Sequence, residues 1–552
     1  MTAAADLLVT NAEIHSLANP DDVCEAMAVR DGEIVRLGHT YEIEFLEGVE
    51  TDVIDCGGRV VIPSFVDAHT HLEQLGQHLV HADLSSADSA DDCLELLAAE
   101  AERTDGGDSD EGDSNDDREW ILGFGYDESE WDDPAAGRLT REQLDAVSED
   151  RPVAALRVDL HTASLNSVAL EYLAEEMPDD DLEREAGQPT GVAVEDAAAA
   201  VRREITTDRA AMCEVLEAAT AHAVERGVTC VHDKIRGSTA PRVYREMAAD
   251  GTLPLRVRID YWSDHLESLV DVGLGTNDGD ALVETGAIKS FSDGSIGSRT
   301  AKLRVPYADL DAETDGDGSD DGRDGAEDSE GDTEREHATG QWMVDPTDLA
   351  ALVEHADGAG YQLSIHAIGD EAVEETLSAL ERTDDPAGAR HRIEHLELAT
   401  DDHLDRMAEA GIVASMQPNF HRWADDGGLY DRRIGKQRRR RTNRLRRVLE
   451  AGVPLAFGSD CMPLDPLFGV HHAVNAPTEA QRLSVTEALR AYTRGGAYAG
   501  FDEDRLGTLA VGNRGDFVVL EESPWDRPGR IDEIEVVTTA VDGDVVFDER
   551  DE

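Results

Sequence analysis

Short, largely apolar runs separated by helical stretches recur along this chain, and that alternation limits its fold more than any other feature. The first run is Val60-Val61-Ile62-Pro63-Ser64-Phe65-Val66-Asp67-Ala68, leading into His69-Thr70-His71. Further runs of strand composition occupy residues 151–161, 228–233, 255–260, 287–291, 361–366, 392–395, 412–416 and 454–460. A strand buried on both faces reads as continuous Val, Ile and Leu, because neither side meets water. Helical patterns at 370–381 and 400–410 lie between such runs, and Gly411 and Gly452 fall where helix C-caps belong. Strands alternating with helices mean βα units and a parallel sheet. The fold class expected is therefore α/β, a (β/α)8 TIM barrel. Nine runs compete for eight barrel positions. Residues 153–160 are taken as the extra one, because an acidic stretch and a long irregular segment surround them. They are assigned to a subdomain of about residues 84–215, inserted between strands one and two of a barrel covering 61–500.

Both chain ends read differently. Residues 6–10, 26–30, 33–37 and 51–55 are short strands, with Asp31-Gly32 as a hairpin turn signal. Residues 515–520 and 536–547 repeat the pattern around Asp542-Gly543. Residues 1–60 and 501–552 are thus expected to build one small composite β-sandwich.

The 552 residues hold 121 acidic and 49 basic side chains, a formal net charge of -72. Only four lysines occur: Lys234, Lys289, Lys302 and Lys436. Such a surface disfavours nucleic acid and anionic membranes as partners. The pattern resembles proteins of salt-loving archaea, where concentrated salt screens self-repulsion. Residues 104–117 and 314–336 are acidic, low-complexity stretches that read as solvated loops. A basic island at 432–447 reads as a helix packed on the acidic surface or gripping an anionic substrate, rather than as a nucleic-acid patch. The six cysteines show no CxxC spacing and read as small core hydrophobes in a reducing compartment. The N-terminus does not read as a signal peptide, and no apolar run approaches the roughly 18 residues of a membrane span. A cytoplasmic protein is expected, and a homodimer is compatible with the sequence.

The chemistry lies in how the strands end. In a strand, residues i and i+2 point the same way, so His69 and His71 project together from the C-terminal end of strand one. That end is where barrels of this kind carry their chemistry. Two neighbouring imidazoles suit a divalent transition metal such as Zn2+. Strand four carries Lys289, strand five ends in His366, strand six in His395 and strand eight in Asp460. Singly, each reads as a satisfied polar residue or a helix cap. Together they are hard to explain by packing, because buried polar groups need partners. A neutral lysine can also react with CO2 to give an anionic carbamate.

These motifs resemble the metal-dependent amidohydrolase superfamily, in the amidohydrolase family 3 branch that includes N-substituted formamide deformylases. The resemblance rests on Pro63 to His71, Gly286-Ala287-Ile288-Lys289-Ser290-Phe291-Ser292-Asp293-Gly294-Ser295, His366-Ala367-Ile368-Gly369-Asp370, Arg392-Ile393-Glu394-His395 and Gly458-Ser459-Asp460. It implies a barrel with a flanking β-sandwich. It implies His69, His71, His366, His395 and Asp460 as ligands of one or two divalent ions, zinc being the one expected, with Lys289 as a carboxylated bridge. It also implies a substrate-facing role for His161, Asp293 and Arg392. The expected reaction is hydrolysis of a non-peptide C–N bond, amide or formamide-like, in a small molecule. The ion would lower the pKa of a water from about 16 towards 7, Asp460 would act as general base, and His161 or His232 would polarise the carbonyl. The alternative on the same scaffold is a mononuclear deaminase of a heterocyclic amine, which does not need Lys289.

Overall fold

The computed structural model describes residues 4–104, 120–128, 131, 137–158, 162–207, 209–311 and 338–549. Most of the two acidic stretches, 105–117 and 314–336, lies outside the described residues, as does His161. The chain divides into two compact units, one of Met1–His71, Ala221–Arg236 and Met247–Glu552, the other of Leu72–Thr220 and Gly237–Glu246.

The first unit contains a single sheet of eight strands: β1 (Phe65–Thr70), β2 (Val228–Ile235), β3 (Arg256–Trp262), β4 (Val283–Phe291), β5 (Leu363–Ala367), β6 (Arg392–His395), β7 (Val413–Met416) and β8 (Leu455–Phe457). Each is parallel to the next, as βα connections require. Their residues are buried almost throughout, which is why they read as largely apolar runs, and the charged residues on β2, β3 and β6 are buried with them. The seam between β8 and β1 is nearly closed just past the end of β8. There the Asp460 N–H donates to the His69 carbonyl (2.8 Å) and the Ser459 N–H donates to Asp67 Oδ1 (2.9 Å).

The helices flanking the later strands are α1 (Asp370–Leu380), α2 (Asp401–Ala410), α3 (Leu429–Arg439), α4 (Leu445–Ala451) and α5 (Pro466–Val474). Local chemistry sets their ends. Thr400 and His403 form a capping box at the start of α2, and Leu404 and Met407 face inward. Gly411 and Gly452 close α2 and α4 in the left-handed conformation.

The stretch 60–71 is not one strand. Val60–Pro63 pairs antiparallel with Phe517–Leu520 and parallel with Glu13–His15, outside the barrel. The changeover follows the backbone donors. Ser64 N–H goes to Asp516 O (3.2 Å), whereas Phe65 N–H goes to Gly227 O (2.9 Å) in the barrel. Pro63 has no N–H to extend either ladder. The barrel strand ends at Thr70, one residue before His71.

Val60–Pro63 belongs to a six-stranded sheet that draws on both chain ends, in the order Asp544–Asp548, Val536–Val541, Phe517–Leu520, Val60–Pro63, Glu13–His15, Val23–Cys24. A four-stranded sheet holds Glu33–Gly38, Ala26–Arg30, Leu7–Thr10 and Asp52–Asp55. One buried cluster takes Ile14, Val61 and Val519 from the first and Val9, Met27 and Val29 from the second. Asp31-Gly32 and Asp542-Gly543 turn their hairpins with positive φ at both residues.

The second unit is built on a six-stranded mixed sheet that includes Val153–Arg157, the ninth apolar run. Alternate residues of one strand serve its two faces. Ala154 and Leu156 pack with the helix Glu195–Thr207 through Ala197 and Val201, whereas Val153 and Ala155 join Cys93 and Leu97 of Ala90–Thr104.

The basic island spans α3 and the start of α4, and much of its charge is spent inside the protein. Arg433 pairs with Asp309 (2.8 Å), Arg439 with Asp431 (2.6 Å), Arg444 with Asp401 (2.9 Å) and Arg446 with Glu487 (2.6 Å). Arg438 donates to the Val305 and Pro306 carbonyls. The arginines tie these helices to their neighbours. Lysine is distributed differently: Lys234, Lys289 and Lys302 are buried, and only Lys436 is exposed.

Candidate metal centre

His69, His71 and Asp460 converge at the C-terminal mouth of the barrel, where β1 and β8 meet. Asp460 Oδ1 lies 3.2 Å from His71 Nε2 and 3.5 Å from His69 Nε2. One ligand atom from each of the three falls within 4.8 Å of the others, the spacing a shared cation needs. His395 stands beside them, its ring centroid 4.9 Å from that of His69, and His366 is 4.5 Å from His395. His366 Nε2 also lies 3.1 Å from the Gly294 carbonyl, and its ring meets Phe291 edge-on.

The backbone at these strand ends is unusual. His395 and Leu396 have φ of 69° and 52°, and Asp460 and Cys461 have φ of 56° and 54°. Non-glycine residues adopt the left-handed region at a cost, and such strain concentrates where side chains must be aimed.

Lys289 on β4 is 1% exposed, and its Nζ has no hydrogen-bond partner among the described residues. Burial lowers its pKa to about 8, far enough to make the neutral amine accessible. Burial likewise keeps His69, His366 and His395 neutral, His395 with a pKa of about 4. Burial pushes the Asp460 carboxyl up, but His69, His71 and His395 outweigh it and hold the group well below the usual carboxylate range. Neutral imidazoles, an ionised carboxylate and an unpaired buried amine make a donor set that fits a divalent ion.

Beneath this cluster lies a layer of buried charge. His69 Nδ1 is 2.6 Å from Glu394 Oε2. Glu394 Oε1 accepts from Ser364 Oγ (2.6 Å) and faces Arg392 Nε (3.1 Å). Arg392 also meets Asp260, and its Nη1 lies 2.6 Å from His232 Nδ1. Asp260 Oδ2 accepts from Lys234 Nζ (2.8 Å), which donates as well to the Ala68 carbonyl (2.9 Å).

The structure therefore brings together His69, His71, His395 and Asp460, with His366 adjoining His395 and Lys289 buried on β4. Other sequence candidates are placed differently. Arg392 is fully buried between Asp260 and Glu394, so its guanidinium is engaged by carboxylates of the barrel interior and not turned to a substrate. His232 lies in the same layer, against Arg392. Asp293 accepts from the backbone N–H groups of Ile368, Gly369 and Lys302, holding the loop after β5. Burial raises its pKa to about 7. Reasoning from sequence missed Glu394, Asp260 and Lys234. The available signal was ionisable side chains inside otherwise apolar strands, one of them among only four lysines.

The amidohydrolase family model matches residues 52–547. A putative amidohydrolase, YtcJ, of Bacillus subtilis is 30% identical, covering 97% of this chain and 98% of that protein. The N-substituted formamide deformylase of Arthrobacter pascens is 26% identical, covering 98% of each. The crystal structure of an uncharacterized metal-dependent hydrolase from Pyrococcus horikoshii OT3 is similar with a TM-score of 0.75 and 26% identity, over 95% of this chain and 99% of that one. The chain belongs to the amidohydrolase family and is an enzyme of the class that hydrolyses carbon–nitrogen bonds other than peptide bonds.

Proposed function

We propose that this protein is a metal-dependent hydrolase that cleaves an amide or formamide-like C–N bond in a small molecule. The observation that carries the reading is the convergence of His69, His71 and Asp460 from the two strands that meet at the barrel seam. These three would hold one ion, and His366, His395 and Lys289, as a carbamate, a second. Zinc is the ion this nitrogen and oxygen donor set favours. When bound, the metal supplies a Lewis acid that lowers the pKa of a water to about 7. Asp460, ionised and beside both histidines, is the group placed to take a proton and return it to the leaving nitrogen. The relative that hydrolyses N-substituted formamides over nearly the same length supports this choice of bond. Around the centre, the barrel, expected over 61–500 with an inserted subdomain, is taken to begin at Phe65 because Val60–Pro63 pairs with the terminal strands, and the two terminal sheets are taken as the leaves of one β-sandwich. The acidic surface is read as adaptation to concentrated salt.

A mononuclear deaminase is the second reading. It is favoured by one fact: among the His, Cys, Asp and Glu side chains of the described residues, only His69, His71 and Asp460 form a group of three close enough together to share an ion. Metal analysis of protein purified in high salt, joined to a screen of N-acyl amines, formamides and heterocyclic amines, separates the two. Two ions per chain and amide hydrolysis are the expected outcome. One ion with ammonia release from a ring amine would transfer the assignment to the deaminase. No ion, with the fold intact and metal not restorable, would overturn both.

A further inference from the structure

We infer that Glu394, Arg392, Asp260 and Lys234 form a positioning network that fixes His69 for metal binding from both its side chain and its backbone. The inference rests on the metal reading above. The short contact between His69 Nδ1 and Glu394 Oε2 (2.6 Å) joins two fully enclosed groups, so the imidazole proton sits on Nδ1, facing the carboxylate. The Nε2 lone pair is thereby left pointing towards Asp460. A ligand histidine whose far nitrogen donates to a carboxylate has a fixed tautomer, a fixed ring plane and greater basicity.

Glu394 is itself held. Ser364 Oγ and Arg392 Nε occupy its other oxygen, and Arg392 is anchored by Asp260. Asp260 takes the Ala287 N–H on Oδ1 (2.7 Å) and Lys234 Nζ on Oδ2. The path then returns to its start, because Lys234 Nζ also donates to the carbonyl of Ala68, the residue preceding His69. The circuit runs through β1, β6, β3 and β2 and contains two anions and two cations. Replacing a buried ion network by apolar side chains of similar volume is often neutral or stabilising. Stability alone therefore gives little reason to carry four ionised groups through this barrel interior. Aiming one ligand does.

The test is ion titration into metal-free protein in concentrated KCl, following both affinity and the visible spectrum of bound Co2+. Glu394→Ala is expected to weaken binding about 100-fold and to alter the spectrum, and Glu394→Gln, which keeps an acceptor, about 10-fold. Asp260→Asn, which touches neither the ion site nor His69, is expected to weaken binding in the same direction. Should that variant not fold, the isosteric Glu394→Gln decides. Folded Glu394 variants with affinity within twofold of wild type and an unchanged Co2+ spectrum would overturn the inference. Wild-type protein that takes up no ion would instead remove the metal reading, and this inference with it.

Discussion

Gly458 is where the barrel seam is least forgiving. It follows β8, its N–H donates to the Met416 carbonyl (3.0 Å), and it lies two residues before Asp460. A Cβ placed there would stand 2.5 Å from the His69 backbone nitrogen, 2.6 Å from its Cβ and 3.0 Å from its Cα. No flexible side-chain end is available to yield, so Gly458→Ala must part the strand ends by about 1 Å to restore ordinary contact. Overpacking of this kind costs about 1–3 kcal/mol. Weakening the Asp460 N–H bond to the His69 carbonyl across the same seam adds about 1 kcal/mol. The expected total is a loss of about 2–4 kcal/mol, read as a lower denaturation midpoint of metal-free protein in high salt. Because His69 and Asp460 are the groups driven apart, metal affinity should fall with it, and a misplacement near 1 Å is expected to cost about 100-fold in turnover. A Gly458→Ala protein with wild-type stability and full metal binding would refute the close approach and the placement of Asp460 built on it.

Other consequences can be checked separately. Asp460→Asn should lower turnover by about 10²–10⁴-fold, and wild-type turnover with metal still bound would end its assignment as base. His421 is buried with neither ring nitrogen paired among the described residues, and burial, with His472 adding to it, lowers its pKa to about 3. The folded form therefore binds a proton less readily than the unfolded one. Its contribution is intact above pH 6.5 and is lost as pH falls, at about 1.4 kcal/mol per unit. His421→Phe should then lose about 3 kcal/mol less than wild type between pH 7 and pH 4. Denaturant midpoints of the two proteins that fall in parallel would contradict this. With a net charge of -72, stability should rise as KCl goes from 0.1 to 2 M, since the screening length shrinks from about 10 Å to under 3 Å; a flat response would remove the reading of the surface as salt-adapted.

The parallel architecture was legible because strands buried on both faces carry an unmistakable composition, and the helices because Thr400, Gly411 and Gly452 mark their ends. The division of 60–71 between two sheets was not. Val60 to Ile62 and Phe65 to Ala68 are equally apolar, and only the destination of the Ser64 and Phe65 N–H groups separates them. The strand-end histidines and Asp460 could be read from position alone, since the end of a barrel strand faces one mouth. Arg392 could not, because a charge on a four-residue strand gives no sign of whether it points to the mouth or to a carboxylate across the barrel. Asp260, three strands away in the sheet and 132 positions away in sequence, decides it.

The near-absence of surface lysine has a practical corollary. With Lys234, Lys289 and Lys302 buried, an amine-directed reagent meets a single accessible lysine, Lys436, besides the chain's own α-amino group. Succinimidyl dyes or a resin-bound ester should therefore attach the folded protein at one defined lysine, far simpler than the heterogeneous labelling usual for a chain of this size. By the same logic, a second modified lysine reports opening of the fold, and the order in which the three buried amines become reactive would chart how the barrel comes apart.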